Sequence, residues 1–205
     1  MQPRKLAIIT GISYLIIFFA AIFANFFVLE ALTSSPLETV EQNSMTVRWG
    51  IMAFILTVVF DVVVAWTLYK LFQEHVLSLP STLFRMMHAA LMAVAIFALP
   101  PVLISTSEEI ILQQVNIFNT IWLLGLLFFG IHLIFLCRIL KKPKLIAWFL
   151  FLAGIMYIID TSAHILMPNY QDHATTFLAL VAIPSIIGEM SFAIWMLAKG
   201  GKNKK

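Results

Sequence analysis

At 205 residues, 61% of them apolar and only 11% charged, with a mean hydropathy of +0.98, the chain is far from the roughly 25% charged residues of soluble domains, which excludes a water-soluble globular fold. Its net charge of +3 does not signal nucleic-acid binding, because the basic residues stand beside the ends of apolar runs and leave no stripe to follow phosphates. A single cysteine, Cys137, excludes an intrachain disulfide and a cysteine-based metal cluster.

Six apolar runs are each long enough to cross a hydrocarbon core of about 30 Å as a helix. The first covers about residues 6–29. It follows Arg4 and Lys5 as a signal peptide would, yet it exceeds the 7–15 apolar residues of such signals and is expected to be retained. In the connection after it, Ser35, Pro36 and Glu38 occupy the cap, first and third helical positions of a capping box, predicting a short external helix. The second span, about 46–72, has Trp49 and Tyr69 near its ends, where amphipathic rings favour the interface.

The third span is about 82–104, and Pro100 with Pro101 predicts unwinding near its far end. The fourth, about 108–139, opens with Ser107, Glu108 and Glu109, a cap followed by acidic first-turn residues. Pro143 suits the first turn of a fifth span, about 143–167. The sixth, about 175–199, ends at Gly200 and Gly201 before a lysine-rich tail. The predicted fold is all-α: a single membrane domain, residues 1–205, built as a six-transmembrane-helix bundle.

The charges orient it. Arg4 and Lys5, Lys70 and Arg85, the basic residues of 138–144 and the lysines of 199–205 fall beside alternate span ends, with Arg48 as the exception. Glu30, Glu38, Glu41, Glu108, Glu109 and Asp172 occupy the opposite connections. Under the positive-inside rule both termini are expected to be cytoplasmic, in a multi-pass protein of the cytoplasmic membrane.

Ionisable groups inside a bilayer cost roughly 2.5–3.5 kcal/mol each and turn toward protein or water. Counting about 1.5 Å per residue puts His132 roughly 9 Å, Glu189 about 13 Å, Asp61 about 16 Å and Asp160 about 22 Å from the cytoplasmic ends. At three- or four-residue spacing Thr57 accompanies Asp61, Ser185 accompanies Glu189, and Tyr157 and His164 accompany Asp160. These faces are expected to line a central polar pocket, with Asn25, Asn116, Asn119 and His164 joining Asp160 at its outer mouth, His132 within reach of Glu189, and Arg85 and His88 near the inner surface. The ligand-binding candidates are therefore Asp61, His132, Asp160, Glu189, His164, Tyr157, Asn116 and Asn119. Ordinary helix-to-helix hydrogen bonds are the simpler role for Asn116, Asn119, Thr57 and Ser185.

Neither a metal nor another cofactor is expected. Asp160 and His164 have ligand spacing, but no HExxH or Cys/His cluster completes a site, and His88, His132 and His164 lie at different depths, unlike paired haem ligands. Glu108 and Glu109 lack the arginine four residues on that an intramembrane prenyl-endopeptidase pattern demands. Gly125, Gly130 and Gly154 are read as close helix contacts.

Several stretches in chain order resemble the domain-of-unknown-function 4386 family of small bacterial integral membrane proteins. They are Arg4, Gly11, Tyr14 and Leu15; Asp61; Phe128 to Gly130 with His132; Pro143, Leu145, Ala153, Gly154, Tyr157 and Asp160; Pro168 to Tyr170; and Gly188, Glu189, Phe192, Trp195 and Gly200. The resemblance implies a six-helix membrane protein and lends no reaction. The leading functional expectation is a protein binding a lipid or small apolar molecule in a polar intramembrane pocket, with proton coupling. Alternatives are an intramembrane enzyme on a lipid or isoprenoid-like substrate and a non-catalytic membrane partner or stress-response factor. The expected partners are the bilayer, such a ligand and a second copy of the chain, and not nucleic acid.

Overall fold

The computed structural model describes residues 1–202, which contain helices and no strand; of the predicted lysine tail, Lys204 and Lys205 lie outside the described residues. Six helical rods are long and apolar enough to cross a membrane: Pro3–Ser34, Pro36–Phe72, Ser78–Ile104, Glu108–Ile139, Lys144–Leu166 and Tyr170–Ala198. The chain is a multi-pass helical membrane protein, as its apolar runs predict.

Helix α1, Pro3–Ile22, starts with a proline in its first turn, where the missing N–H removes no helical bond. It continues into a π-helical stretch, Phe23–Leu29, closed by the Glu30 N–H returning five residues to the Asn25 carbonyl. The Asn25 side chain donates to the Ala21 carbonyl at 2.9 Å, so this asparagine serves its own helix. Helix α2, Glu30–Ser34, ends the first rod.

Helix α3, Pro36–Phe72, departs from expectation at its start. Pro36 takes the first turn, but the Ser35 side chain makes no cap bond, and the segment expected as a separate external helix runs into the second span through a kink at Asn43 (φ −125°, ψ 29°). Thr39 Oγ1 instead donates across to the Ala31 carbonyl at 3.0 Å, holding α2 against α3.

Helix α4, Ser78–Ile96, gives way to a 3₁₀ turn at Pro100–Ile104, the unwinding that two prolines without N–H donors impose. Helix α5, Glu108–Ile139, has the predicted cap: Ser107 Oγ accepts from the Ile110 N–H at 3.5 Å, and Glu108 and Glu109 form an acidic, exposed first turn. Pro143 stands one position earlier than predicted, as the extended cap residue of α6, Lys144–Leu166. A 3₁₀ turn, Tyr170–His173, leads into α7, Ala174–Ala198, which carries Pro184 in its interior.

The long helices close a ring: α1 packs on α3, α3 on α4, α4 on α5, α5 on α6, α6 on α7, and α7 back on α1. Lipid removes the hydrophobic drive for helices to associate, so close backbone approach and interhelical hydrogen bonds must do it. A Cβ on Gly130 would stand 2.6 Å from the Gly154 carbonyl oxygen, and one on Gly154 equally close to that of Gly130, so α5 and α6 meet backbone to backbone. Arg4 fastens the last contact of the ring. Its guanidinium donates to the carbonyls of Met196 and Gly200 at 3.0 Å each and to that of Leu197, meeting acceptors that the end of α7 leaves open.

Two apolar cores fill the ring. Near the termini Leu6, Phe129, Leu133, Leu150, Phe192 and Met196 pack together. Toward the far end Val28, Val47, Phe54, Ala95, Ile111 and Phe118 do so, and this second core draws on the first four rods but not on α6 or α7. Gly154→Leu should therefore cost about 1–3 kcal/mol through overpacking at the α5/α6 crossing, read as a lower unfolding midpoint in mixed detergent micelles; Gly125→Ala, whose nearest neighbour would be the Met92 sulfur at 3.2 Å, should cost less.

Candidate functional site

The largest fully buried side chain of the protein is Arg85. Sequence order groups it with the loop cations at a membrane face, but it lies about seven residues into α4, roughly 10 Å along the axis, with 1% of its surface exposed. The physical reason is that α4 begins at Ser78, earlier than the apolar run does, so Ser81, Arg85 and His88 form one inward line at four- and three-residue spacing.

An arginine inside a helix bundle needs acceptors and a counter-charge. Arg85 Nη2 donates to Asp61 Oδ1 at 2.5 Å, and Asp61 is 3% exposed. Arg85 Nη1 donates to the Tyr14 hydroxyl at 2.6 Å and faces His132 Nε2 at 3.3 Å. The guanidinium carbon also sits 4.8 Å from the Tyr14 ring centre and 5.2 Å from that of Phe129, within the range at which aromatic faces attract cations. Arg85 Nε has no hydrogen-bond partner among the described residues, so the cation keeps one donor in reserve.

The two histidines are fixed by what they face. Arginine only donates, so His132 Nε2 accepts and its Nδ1 carries the proton, given to the Ser81 carbonyl at 2.9 Å with Ser81 Oγ also at 2.9 Å. His88 Nδ1 faces the Gly125 carbonyl at 2.9 Å and therefore donates. Its Nε2 lies 3.5 Å from Asp61 Oδ2, a contact that needs a further proton on one side or the other. Phe129 walls the group, its ring centre 4.8 Å from that of His88 and 5.8 Å from that of His132.

Glu189 joins from α7. It is half-buried, its carboxylate contacts the Tyr157 hydroxyl of α6, and it lies within electrostatic range of Arg85 and Asp61. The Tyr157 hydroxyl also meets Ser185, one turn before Glu189. The predicted His132–Glu189 pairing is replaced: His132 takes Ser81 and Arg85, and Glu189 takes Tyr157, because Arg85 enters between α3 and α5 and claims the imidazole.

Of the predicted site residues, the fold thus gathers Asp61, His132, Glu189 and Tyr157. Asp160 and His164 form a second group at the far end. Asp160 is half-buried and accepts from the Tyr170 hydroxyl through Oδ1 at 2.7 Å; the exposed His164 has its ring centre 4.4 Å from that of Tyr170. Asn116 and Asn119 join neither group and are exposed. They correct the expected polar mouth: α5 turns Ile111, Val115 and Phe118 into the core, and at 100° per residue the asparagines that follow Val115 and Phe118 are carried off that face.

Sequence reasoning misses Arg85, Tyr14 and Ser81 as site residues and puts His88 at a surface. One signal was available: Asp61 requires a cation at depth, and Arg85 alone among the basic residues has a histidine and a serine on its own helical face. Among the described residues no three His, Cys, Asp or Glu side chains gather as metal ligands would.

The family model described as Domain of unknown function (DUF4386) matches residues 9–200. A relative from Archaeoglobus fulgidus, described as "Uncharacterized protein", is 28% identical over 160 residues, which is 75% of this chain and 85% of that protein. It is archaeal, whereas the sequence resemblance pointed to bacterial proteins. No solved structure matches the chain.

Removing the cation alone strands a buried carboxylate. Arg85→Met should destabilise the protein by about 3–5 kcal/mol, and the Asp61→Asn/Arg85→Met double variant should recover a large part of that loss, measured as unfolding midpoints of the four proteins in a double-mutant cycle. Additive losses would disprove the pairing.

Proposed function

The chain belongs to the family described as Domain of unknown function (DUF4386), a description that assigns no reaction, and we propose that this member is a proton-responsive membrane protein that binds a lipid or small amphiphile among its helices. The observation that carries the reading is convergence: every spanning rod sends a polar side chain to one buried place. They are Tyr14 from α1, Asp61 from α3, Arg85 and His88 from α4, His132 from α5, Tyr157 from α6 and Glu189 from α7.

Charge counting supports proton binding there. One permanent cation, Arg85, faces two carboxylates, Asp61 and Glu189, in surroundings where an uncompensated charge is costly. Neutrality requires one more proton, held by Glu189 or shared between His88 and Asp61 across their 3.5 Å contact. Moving that proton changes which groups must stay paired, and with them the preferred packing of α7 against α6 and α1. In this reading the cation-rich end that carries both termini faces the cytoplasm, by the positive-inside bias of its remaining lysines and arginines.

A second reading is favoured by the near-complete enclosure of Asp61, Arg85 and His132: the network fixes helix rotation and exchanges no proton, as a non-catalytic membrane partner would require. The two readings part on titration. In protein reconstituted into lipid and taken between about pH 5 and pH 8, infrared difference spectra should show one carboxylate converting to a carboxyl as pH falls, and Glu189→Gln should remove that band while a folded protein remains. A spectrum without any titrating carboxyl over that range would leave only the static role.

A further inference from the structure

Between the end of α5 and the start of α6 a groove of about 340 Å³ opens at the bundle surface. Cys137 and Leu140 line it from the α5 side, and Lys144, Ala147, Trp148 and Phe151 from α6. Its wall is graded. Lys144 is the first residue of the α6 rod, the exposed Trp148 stands about 6 Å along the axis and Phe151 about 10 Å along it, and the two rings stack at 5.6 Å. This order of ammonium, indole and phenyl is that of a membrane interface, with charge among the headgroups, tryptophan at their base and phenylalanine among the chains.

Charge singles out the occupant. Arg138, Lys141, Lys142 and Lys144 are four exposed cations within seven positions, and no acidic residue occurs between Glu109 and Asp160. Among the described residues none of the four is in an ion pair, whereas Arg4, at the same end of the bundle, has its guanidinium on three carbonyls. Arg138 suits the negative end of α5. Lys144 stands instead at the positive end of α6, where Pro143 makes no side-chain cap bond and the first turn has no acid. An anion relieves that accumulation of positive charge, and the apolar wall beside it calls for an anion with a hydrocarbon chain. A soluble anion gains nothing from Trp148 and Phe151, and a zwitterionic lipid brings a cation with its phosphate. A second copy meeting this face symmetrically would set the same four cations against each other.

We infer that the α5/α6 groove holds an anionic phospholipid, its phosphate beside Lys144 and the connection 141–143 and its acyl chain along Trp148 and Phe151. Basic clusters next to a membrane span attract anionic lipid in this way, each residue contributing roughly fivefold in affinity. The position goes beyond the proton-binding reading above and shares no side chain with the Arg85 network, so each can fail alone.

The test reconstitutes the full chain in nanodiscs of equal parts phosphatidylglycerol and phosphatidylcholine, strips the bulk lipid and identifies what stays bound by mass spectrometry. Phosphatidylglycerol should be retained about tenfold over phosphatidylcholine, and Lys142→Gln/Lys144→Gln, both at exposed positions, should bring the two near equality. The charge-matched Lys199→Gln/Lys202→Gln should leave the preference intact. Cys137, the single cysteine of the chain, stands in the groove wall and reports the place of binding. Its reaction with an apolar maleimide should be slower in phosphatidylglycerol than in phosphatidylcholine, and Lys142→Gln/Lys144→Gln should lose that protection. Equal retention of the two lipids by the unaltered protein overturns the inference without any variant having to fold. So does a preference that leaves Cys137 unprotected, which would be diffuse attraction around the bundle, and so does an equal loss in both double variants. A disulfide between the Cys137 residues of two copies, formed equally in either lipid, would overturn it too and assign the groove to a second copy.

Discussion

A guanidinium enclosed by apolar helices cannot borrow water, so its counter-charge and acceptors have to come from the helices around it. Arg85 sets this condition for the whole bundle. Meeting it draws Asp61 from α3, Tyr14 from α1 and His132 from α5 to within 3.3 Å of one side chain, and each of those bonds fixes the rotation of a helix about its axis. A turn of α3 by one residue would swing Asp61 about 100° away and leave both charges buried and unpaired. The interaction acts as a register pin: costly to form, and far costlier to form wrongly.

Around that pin the scaffold is held by contacts suited to lipid. The α5/α6 crossing brings the Gly130 and Gly154 backbones together, and Arg4 binds the open carbonyls of α7, so the ring closes where α1 begins and α7 ends. The first core surrounds the polar hub and uses every long helix except α4, and α4 supplies Arg85 itself. The second core holds only the first four rods. This asymmetry leaves α6 and α7 outside the second core, with the Asp160–Tyr170 pair at their far end. The polar groups are thereby divided between an enclosed charged centre and that more open pair.

Much of the architecture was legible from composition alone. Six apolar runs in a chain with few charges admit helices and little else, since a backbone in lipid must satisfy its own hydrogen bonds. Prolines at 100 and 101 forecast the unwound turn, and Ser107 forecast the start of α5. Other local signals were overridden. Ser35 has the spacing of a cap, but Thr39 bonds across to Ala31 and the helix continues into the next span. Asp61, His132, Glu189 and Tyr157 were identifiable because polar groups at depth must face protein. Asp160 and His164 satisfied the same criterion and yet lie elsewhere, because depth says nothing about which neighbour a helix face meets.

What the sequence by itself determined was the inventory: how many rods cross, how long they are, and which side chains are too polar for lipid. These follow from transfer energies, which are properties of one segment and its solvent. Only the tertiary structure decided that Arg85, which reads as a loop cation, is the hub, that Asn116 and Asn119 turn away, and that Asp160 pairs with Tyr170 apart from the Arg85 network. Those outcomes depend on helix rotation and neighbour order, set by the pairing of charges and the meeting of glycine faces between segments far apart in the chain, and no single segment carries that information.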